Sequence, residues 1–299
     1  MIALLDRLLR AEGWDTIEAL ALALQLTRTQ VAGQLQQLRQ RGCQFDQHPQ
    51  HGVRLRASGL ETWGDYIERQ RPRRVAVYRT TISTQDIARS WVGGGGADLH
   101  GAVVVADVQT GGRGRLGRTW HARPGEALLF SYVHASASGN HDQLTASSAV
   151  AVAEALEACG AAAVRIKWPN DLLIDGRKVA GLLVERSGPA AVLGVGVNVT
   201  AAPPGVVDAT CLREAGVTRD RLAVLDAAVA ALDRVLADAT AHEQSWRRRC
   251  LAFTGPVRLQ SDGRVVEGEV MDADPARGLI VRTRDGQIVH LPAATTGRV

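Results

Sequence analysis

The hydrophobic pattern changes twice along the 299-residue chain, and no single layer of secondary structure can accommodate all three patterns. Apolar residues recur at helical spacing first, then alternate between strand-like and helical runs, and finally shorten to brief strand-like runs between turns. We therefore predict an α+β protein with a helical unit at 1–60, a linker at 61–74, a mixed unit at 75–252 and an all-β unit at 253–299.

Two helix-start signals in the first unit predict a helix-turn-helix. Asp15 with Glu18 fits a capping box that opens one helix, and Thr27 with Gln30 repeats the pattern at the start of the next. Gly42 then supplies a helix stop. Two capped helices joined by a tight turn are typical of this motif.

The segment 45–56 alternates around a turn at 49–52 and predicts a β-hairpin wing. The helix after Thr27 would enter the DNA major groove by its N-terminal half. Its candidate base contacts are Arg28, Thr29, Gln30 and Gln34, with Arg54 and Arg56 of the wing on phosphate. Residues 1–74 hold eleven arginines and eight acidic residues, a weak electrostatic footprint, so a structural or dimerising role stays open.

The later units are rich in strand patterns. Predicted strands are Val75–Tyr78, Ala102–Val108, Leu128–His134, Val164–Lys167, Val179–Glu185 and Ala191–Val199, with helices at Thr145–Gly160 and Leu222–Arg249. Turn signals at 261–263, 274–278 and 284–286 divide the last segment into short strands and predict a small β barrel.

A glycine- and arginine-rich loop follows the strand that ends near Val108. Four glycines and three arginines occupy the eight residues from Gly111 to Arg118. Glycines allow close approach of backbone N–H groups to a ligand, and arginines donate in pairs to phosphate or carboxylate. The Walker A spacing is absent, so this is a different anion site, or a solvated basic loop.

A second polar segment runs from Lys167 to Asp171, with the sequence Lys-Trp-Pro-Asn-Asp. Its Pro-Asn pair predicts a rigid turn that presents the Asp171 carboxylate. Lys178 enters the next strand and could reach an anion held at that turn. Lys167 and Lys178 are the only lysines among 35 basic residues, which suggests sites that need a compact ammonium group.

Composition excludes several classes of protein. No stretch approaches the roughly 20 apolar residues of a membrane span, and the first residues lack the separate regions of a signal peptide. Four cysteines without a C-x-x-C pair argue against a disulfide framework and thiolate zinc. From these features we expect a cytoplasmic protein. The eight histidines lie at no ligand spacing, so we expect no resident metal cluster.

In this order, the Gly-Arg-Gly-Arg-x-Gly-Arg-x-Trp and Lys-Trp-Pro-Asn-Asp…Lys-x-Ala-Gly motifs resemble the biotin–protein ligase family, specifically its members that also repress the biotin operon. The resemblance implies a winged helix-turn-helix, a mixed-sheet catalytic domain and an SH3-like β barrel. It implies that biotin, ATP and Mg²⁺ yield biotinyl-5′-AMP, and that biotin passes to a lysine of the biotin carboxyl carrier protein of acetyl-CoA carboxylase. A homodimer in the adenylate-bound state and operator DNA are further implied partners.

The resemblance also implies a role for each motif residue. The catalytic residues would be Lys178, Arg115 and Asp171. The biotin contacts would be Ser83, Thr84, Gln85, Gln109, Gly112, Arg113, Gly114, Arg115 and Lys178, with Gln85 in place of the family's more familiar Asn. The nucleotide contacts would be Arg118, Trp120, Asn170 and Asn198.

Two alternatives stay open from the residues. A lipoate–protein ligase would share a related catalytic fold, and a DNA-binding sensor would keep the ligand site without catalysis. Retention of Arg113, Arg115, Asp171 and Lys178 weighs against the sensor.

Overall fold

The computed structural model describes residues 1–11, 13–94, 99–135, 137, 139–238, 241–251 and 255–298. Its N-terminal part contains three helices and a β hairpin. These are α1 (Ile2–Arg10), α2 (Ile17–Leu24), α3 (Arg28–Gln40), β1 (Gln44–His48) and β2 (Gly52–Ala57). The leucines of α1 are buried against the apolar sides of α2 and α3, which is the helical spacing read from the sequence.

The capping box of α3 is confirmed. The Thr27 hydroxyl accepts from the backbone N–H of Gln30 at 3.2 Å, and the Gln30 amide oxygen accepts from the N–H of Thr27 at 2.8 Å. The box predicted for α2 was wrong, because Thr16 caps that helix. The Asp15 carboxylate instead accepts from Arg7 at 3.0 Å, and the Asp15 backbone pairs with Val53 of β2 at 2.9 and 2.8 Å.

The segment 61–74, predicted as a linker, contains helix α4 (Trp63–Gln70). Its apolar face carries Trp63, Tyr66 and Ile67, which are buried in the main core. The Tyr66 hydroxyl also donates to Asp6 of α1 at 2.7 Å. Burial of two large aromatic side chains outweighs the charged composition that suggested an exposed connector.

A seven-stranded mixed sheet forms the centre of the protein. It consists of β3 (Val75–Thr81), β4 (Val103–Gln109), β5 (Ala127–His134), β6 (Arg165–Lys167), β7 (Asp171–Ile174), β8 (Arg177–Ser187) and β9 (Ala190–Asn198). The strand order is β3-β4-β5-β9-β8-β7-β6, with β3 and β4 parallel and the other pairs antiparallel. Strand β7 was missed because its four residues follow the predicted turn directly.

The two faces of this sheet are covered unequally. Helices α6 (His141–Ala158) and α7 (Arg221–Leu236) lie on one face and form the main core with it. Helix α5 (Thr84–Gly93) covers part of the other face, where a separate cluster includes Ala88, Val104, Val133 and Val192. Alternate residues of one strand point to opposite faces, so the strands contribute to both clusters.

The single helix predicted over Leu222–Arg249 is two helices, α7 and α8 (Glu243–Arg249). Trp246 of α8 is buried in the main core. The Ala241 N–H donates to Asp238 at 3.3 Å between the two helices. Alanine and leucine composition alone does not reveal such a break, because both residues favour helix throughout.

Five antiparallel strands form the C-terminal sheet, in the order β13-β12-β11-β10-β14. They are β10 (Pro256–Ser261), β11 (Arg264–Asp274), β12 (Gly278–Thr283), β13 (Ile288–Leu291) and β14 (Gly297–Arg298). All three predicted turns are present. Within the described part of the chain β13 and β14 do not pair, so no closed barrel is formed, and the predicted 252/253 boundary lies outside the described residues. None of the helices described is both long and apolar enough to span a bilayer.

We expect Thr27→Ala to lower the free energy of unfolding of the N-terminal part by about 1 kcal/mol, because it removes the hydroxyl that caps α3. Chemical denaturation followed by circular dichroism measures the change. Thr29→Ala, an exposed position on the same helix, is the control and should leave stability within about 0.5 kcal/mol. Equal stability of Thr27→Ala and wild type would contradict the role of this cap.

Candidate active site

A cavity of about 250 Å³ opens on the sheet face that α5 leaves uncovered. Its floor is made by facing positions on three strands, where Leu129 is paired with Gly196 and Gly196 with Gly181. Gly194 extends the same floor beside Ser131. Glycines at these positions leave the backbone bare, so a flat ligand or side chain can lie directly against the sheet.

Trp120 lies on this glycine floor. A Cβ atom added at Gly196 would lie 2.5 Å from Cε2 of Trp120, and one at Gly181 would lie 3.0 Å from Cζ3. The ammonium group of Lys178 lies 5.4 Å from the centre of the Trp120 ring. The indole N–H is buried and has no acceptor among the described residues, so it is available to a ligand in the cavity.

A hydrogen-bonded polar wall borders the floor on the α5 side. The Gln109 amide oxygen accepts from the N–H of Thr84 at 2.8 Å, which directs its amide NH₂ group elsewhere. The Thr84 and Ser131 hydroxyls lie 2.8 Å apart, and the Ser131 hydroxyl donates to the Gln85 amide oxygen at 2.9 Å. Ser83 completes this side of the cavity. The wall is therefore preorganised by contacts within the protein.

Gln85 is held by the protein itself. Its amide NH₂ donates to the carbonyl of Val192 at 3.0 Å, and its oxygen would meet a Cβ at Gly194 at 2.7 Å. Gln85 lines the cavity but is almost fully buried, so its main contacts are with strands β8 and β9. The longer side chain thus reaches across the sheet over a glycine.

The three arginines of the Gly-Arg loop have different surroundings. Arg113 makes a bidentate ion pair with Asp86 at 2.6 and 2.9 Å, and this pairing holds the pKa of the Asp86 carboxyl below its usual range. Arg115 donates to the carbonyls of Ala293 and Thr296 and, at 3.3 Å, to the amide oxygen of Asn170. The Arg118 side chain is exposed and has no ion pair in the described part of the chain.

Burial lowers the pKa of Arg115, and the nearby Asp171 and Asp142 carboxylates oppose that shift. The guanidinium group still carries its charge at neutral pH, because arginine titrates far above it. Since its hydrogen-bond acceptors are all neutral, the Arg115 charge is positioned over the cavity without a direct counter-ion.

Lys178 and Asp171 form an ion pair at 2.7 Å on the other side of the cavity. The turn at 168–170 places Asp171 at the start of β7, where it is paired with Gly181 of β8, and Lys178 lies near the start of that same strand, opposite Leu173. Asp171 is the only acidic side chain among the described residues that line the cavity. The lining therefore carries excess positive charge from Arg113, Arg115, Arg118 and the two lysines, which suits a polyanionic ligand.

Most of the predicted site residues line this one cavity. They are Ser83, Thr84, Gln85, Gln109, Arg113, Gly114, Arg115, Arg118, Trp120, Asn170, Asp171 and Lys178. Gly112 lies behind the loop, where a Cβ would be 2.8 Å from the Trp120 carbonyl oxygen. Asn198 also does not line the cavity, because its buried amide donates to the carbonyl of Thr210 at 3.0 Å. The helix α3 residues belong to the N-terminal part and take no part in the cavity.

The sequence did not reveal the contribution of the C-terminal sheet. Leu259, Leu279, Thr296 and Gly297 line the same cavity, although they lie more than a hundred residues beyond the loop motif. Trp168 also packs against both the main core and the C-terminal cluster. Short turn-rich strands carry no pattern that marks a ligand site, so only tertiary packing brings these residues to it.

The mixed sheet, the glycine floor, the polar wall and the cationic loop together form a site for a polyanionic ligand. The model of the Biotin/lipoate A/B protein ligase family matches residues 98–200, which contain both polar motifs. The biotin--[acetyl-CoA-carboxylase] ligase of Mycobacterium tuberculosis is 36% identical over 219 residues, a match that spans 66% of this chain and 81% of that protein. The chain belongs to the biotin–protein ligase family.

Two further comparisons extend over more of the chain. The bifunctional ligase/repressor BirA of Bacillus spizizenii is 28% identical over 296 residues, with 88% of each chain covered. The structure of the Aquifex aeolicus biotin protein ligase in complex with biotin and ATP superposes with a TM-score of 0.64 at 28% identity. It covers 76% of this chain and 99% of that one.

We expect Gly196→Ala to displace Trp120 from the floor, because the new methyl group would overlap its ring. Intrinsic fluorescence measures this as a shift in tryptophan emission, and the shift should disappear when Trp120→Phe is also introduced. Gly33→Ala, where the added methyl meets nothing within 4 Å, is the control. An unchanged emission spectrum in Gly196→Ala would contradict the close packing of Trp120 on β9.

Proposed function

We propose that this chain activates biotin with ATP as biotinyl-5′-AMP and transfers the biotinyl group to a lysine of a biotin carboxyl carrier protein. The observation that carries the proposal is the cavity, where a bare glycine floor, a polar wall and an Arg115 charge without counter-ion meet. The relatives named as biotin ligases support biotin as the substrate. The name of the Mycobacterium relative supports acetyl-CoA carboxylase as the enzyme that supplies the carrier.

In the first step a biotin carboxylate oxygen attacks the α-phosphorus of ATP, and pyrophosphate leaves. Negative charge builds up on the phosphoryl oxygens, and fixed cations near them lower the barrier. Arg115 is already held over the cavity by neutral acceptors, so it can bind the phosphate without first breaking an ion pair. Lys178 approaches from the opposite side and would exchange Asp171 for the ligand.

In the second step the carrier lysine attacks the acyl carbon of the adenylate, and AMP leaves. The mixed anhydride is hydrolysed if water reaches it, so the site must be closed while the adenylate waits. Arg113 and Arg118 lie on the glycine-rich loop, where they can close on the ligand. Arg113 would then exchange its ion pair with Asp86 for one with the ligand. Asp171 lies where it can accept a hydrogen bond from the incoming amine.

We assign the polar wall to biotin and the loop side to the nucleotide. Gln109 has its oxygen committed to Thr84, so its NH₂ group is the donor for the ureido oxygen of biotin. Ser83 and Thr84 add hydroxyls beside it, Gly112 and Gly114 shape the loop, and Gln85 supports the wall from below. On the proposed nucleotide side, Trp120 offers its ring and an N–H that has no acceptor among the described residues. Asn170 and Asn198 complete this side, and Asn198 acts by supporting β9.

Mg²⁺ enters the proposal as the ion that accompanies ATP. The described residues contain no cluster of three His, Cys, Asp or Glu side chains that could hold a metal by themselves. Mg²⁺ bound with a nucleotide needs only one or two protein carboxylates, and Asp171 is the carboxylate at the cavity. When bound, the ion would neutralise phosphate charge.

We further propose that the chain has three units, at 1–60, 75–252 and 253–299, joined after the first by 61–74, and that the first is a DNA-binding winged helix-turn-helix. Arg28, Thr29 and Gln30 are exposed and Gln34 is half-exposed at the N-terminal end of α3. The Bacillus relative is a ligase/repressor, which supports biotin-responsive repression. An operator with two half-sites would require a homodimer, expected in the adenylate-bound state. The last unit would be an SH3-like barrel that is open between β13 and β14 in the described residues.

We expect wild-type protein to transfer labelled biotin to a biotin carboxyl carrier domain in the presence of ATP and Mg²⁺. Lys178→Ala should lower the rate about 100-fold or more, the typical loss when one charge-stabilising donor is removed. Arg177→Ala, which removes the adjacent exposed cation paired with Glu214, is the matched control and should retain the wild-type rate. Transfer of lipoate or octanoate in preference to biotin would replace the proposed substrate.

We expect selection from a random DNA duplex library, with biotin and ATP present, to enrich a two-fold symmetric site. Arg28→Ala with Gln34→Ala should abolish the enrichment, because both side chains lie on the groove-facing end of α3. Arg219→Ala, outside the N-terminal part, is the control. A selection that enriches no sequence from the library would contradict the proposed repressor function.

A further inference from the structure

We propose that Asp142 is a positioning residue for the activation step, because it fixes the turn whose carbonyls hold Arg115 over the cavity. The turn spans 292–296, directly after β13 of the C-terminal sheet. This inference rests on the proposed function, since it assumes that Arg115 contacts the adenylate-forming substrates.

Arg115 depends on this turn for its position. Its guanidinium group donates to the Thr296 carbonyl at 2.8 Å and also to the Ala293 carbonyl. Asn170 supplies the third acceptor from the central unit. The loop that carries Arg115 is rich in glycine, so its backbone alone would leave the side chain many conformations. The three acceptors therefore decide where the charge lies, and two of them belong to the turn.

Asp142 anchors the turn from the opposite side. Its Oδ2 atom accepts from the backbone N–H of Ala293 at 2.9 Å, a buried contact between residues 151 apart in sequence. Gly278 leaves room for this carboxylate, since a Cβ there would lie 2.9 Å from the same oxygen. The same Ala293 peptide segment thus binds Asp142 through its N–H and Arg115 through its carbonyl.

Two other contacts complete the turn. The Thr296 N–H donates to the Pro292 carbonyl at 3.1 Å, and the Thr296 and Ser261 hydroxyls lie 2.8 Å apart. Both belong to the C-terminal sheet. Asp142 is carried by α6 of the central unit, so it fixes the turn relative to the cavity and not only within its own sheet.

The test measures biotin-dependent exchange of pyrophosphate into ATP by the full chain, which reports the first step alone. Asp142→Ala should raise KM for ATP about tenfold and also lower kcat, because a misplaced Arg115 charge binds the phosphate less well and stabilises less of the charge that develops on it. Asp142→Asn should stay within about twofold of wild type, since its amide oxygen can still accept from Ala293. Thr296→Val keeps the shape of its side chain and loosens the turn from the other side, so a smaller rise is expected.

Gln143→Ala is the matched control for a merely structural effect. It removes the capping contact to the Asn140 N–H at the same end of α6 and does not touch the turn. It should lower thermal stability without raising KM for ATP. In an Arg115→Ala background, Asp142→Ala should have less than about twofold further effect, since the two residues act through one contact chain.

Three results would overturn the inference. Asp142→Ala with wild-type KM would do so, as would an undiminished effect of Asp142→Ala in the Arg115→Ala background. A Gln143→Ala variant with the same KM rise would also reduce Asp142 to a structural role. Wild-type protein without any biotin-dependent exchange would instead overturn the proposed function, and this inference with it.

Discussion

The bare patch on the central sheet is the constraint on which the site depends. Helices α6 and α7 pack on one face, whereas α5 covers only part of the other. Larger side chains at Gly181, Gly194 and Gly196 would fill the gap, and their absence lets Trp120 lie against the strands. An apolar surface open to solvent is costly unless a side chain or ligand covers it, so the same glycines that weaken the strands create the binding surface.

The cations around this patch have different partners and therefore different proposed roles. Arg113 and Lys178 are paired with Asp86 and Asp171, so binding an anion there exchanges one ion pair for another. Arg115 is held only by neutral oxygens and brings an unneutralised charge to the cavity. An exchange of ion pairs changes the free energy little, whereas a preorganised lone cation stabilises the developing phosphate charge directly.

The C-terminal sheet belongs to the site as much as the central sheet does. It covers one side of the cavity with Leu259 and Leu279 and supplies two of the acceptors of Arg115. Trp168 packs against both cores, so the turn that presents Asp171 also joins the central sheet to the C-terminal sheet. Loss of this sheet would therefore change the site and not only the stability.

Local signals allowed much of the structure to be predicted. The Thr27 capping box, the β1–β2 hairpin and the C-terminal turns follow from interactions within a few residues, which a sequence displays directly. The two polar motifs could be found in the sequence because each is contiguous, and residues of both line one cavity. The division into units and the roles of the site residues stay predictions.

The sequence by itself determined the chemistry available to this protein, because the residue types and spacings of its contiguous motifs decide what they can bind. Only the tertiary structure decided which residues share the cavity. In the tertiary structure Thr16 is the N-cap of α2, and α4 is buried. The predicted helix at 222–249 is two helices, and the Asn198 amide binds Thr210 instead of lining the cavity. The tertiary structure also brings Thr296 to Arg115. Each of these depends on a partner far along the chain, and burial and hydrogen bonding with distant partners outweigh local preference.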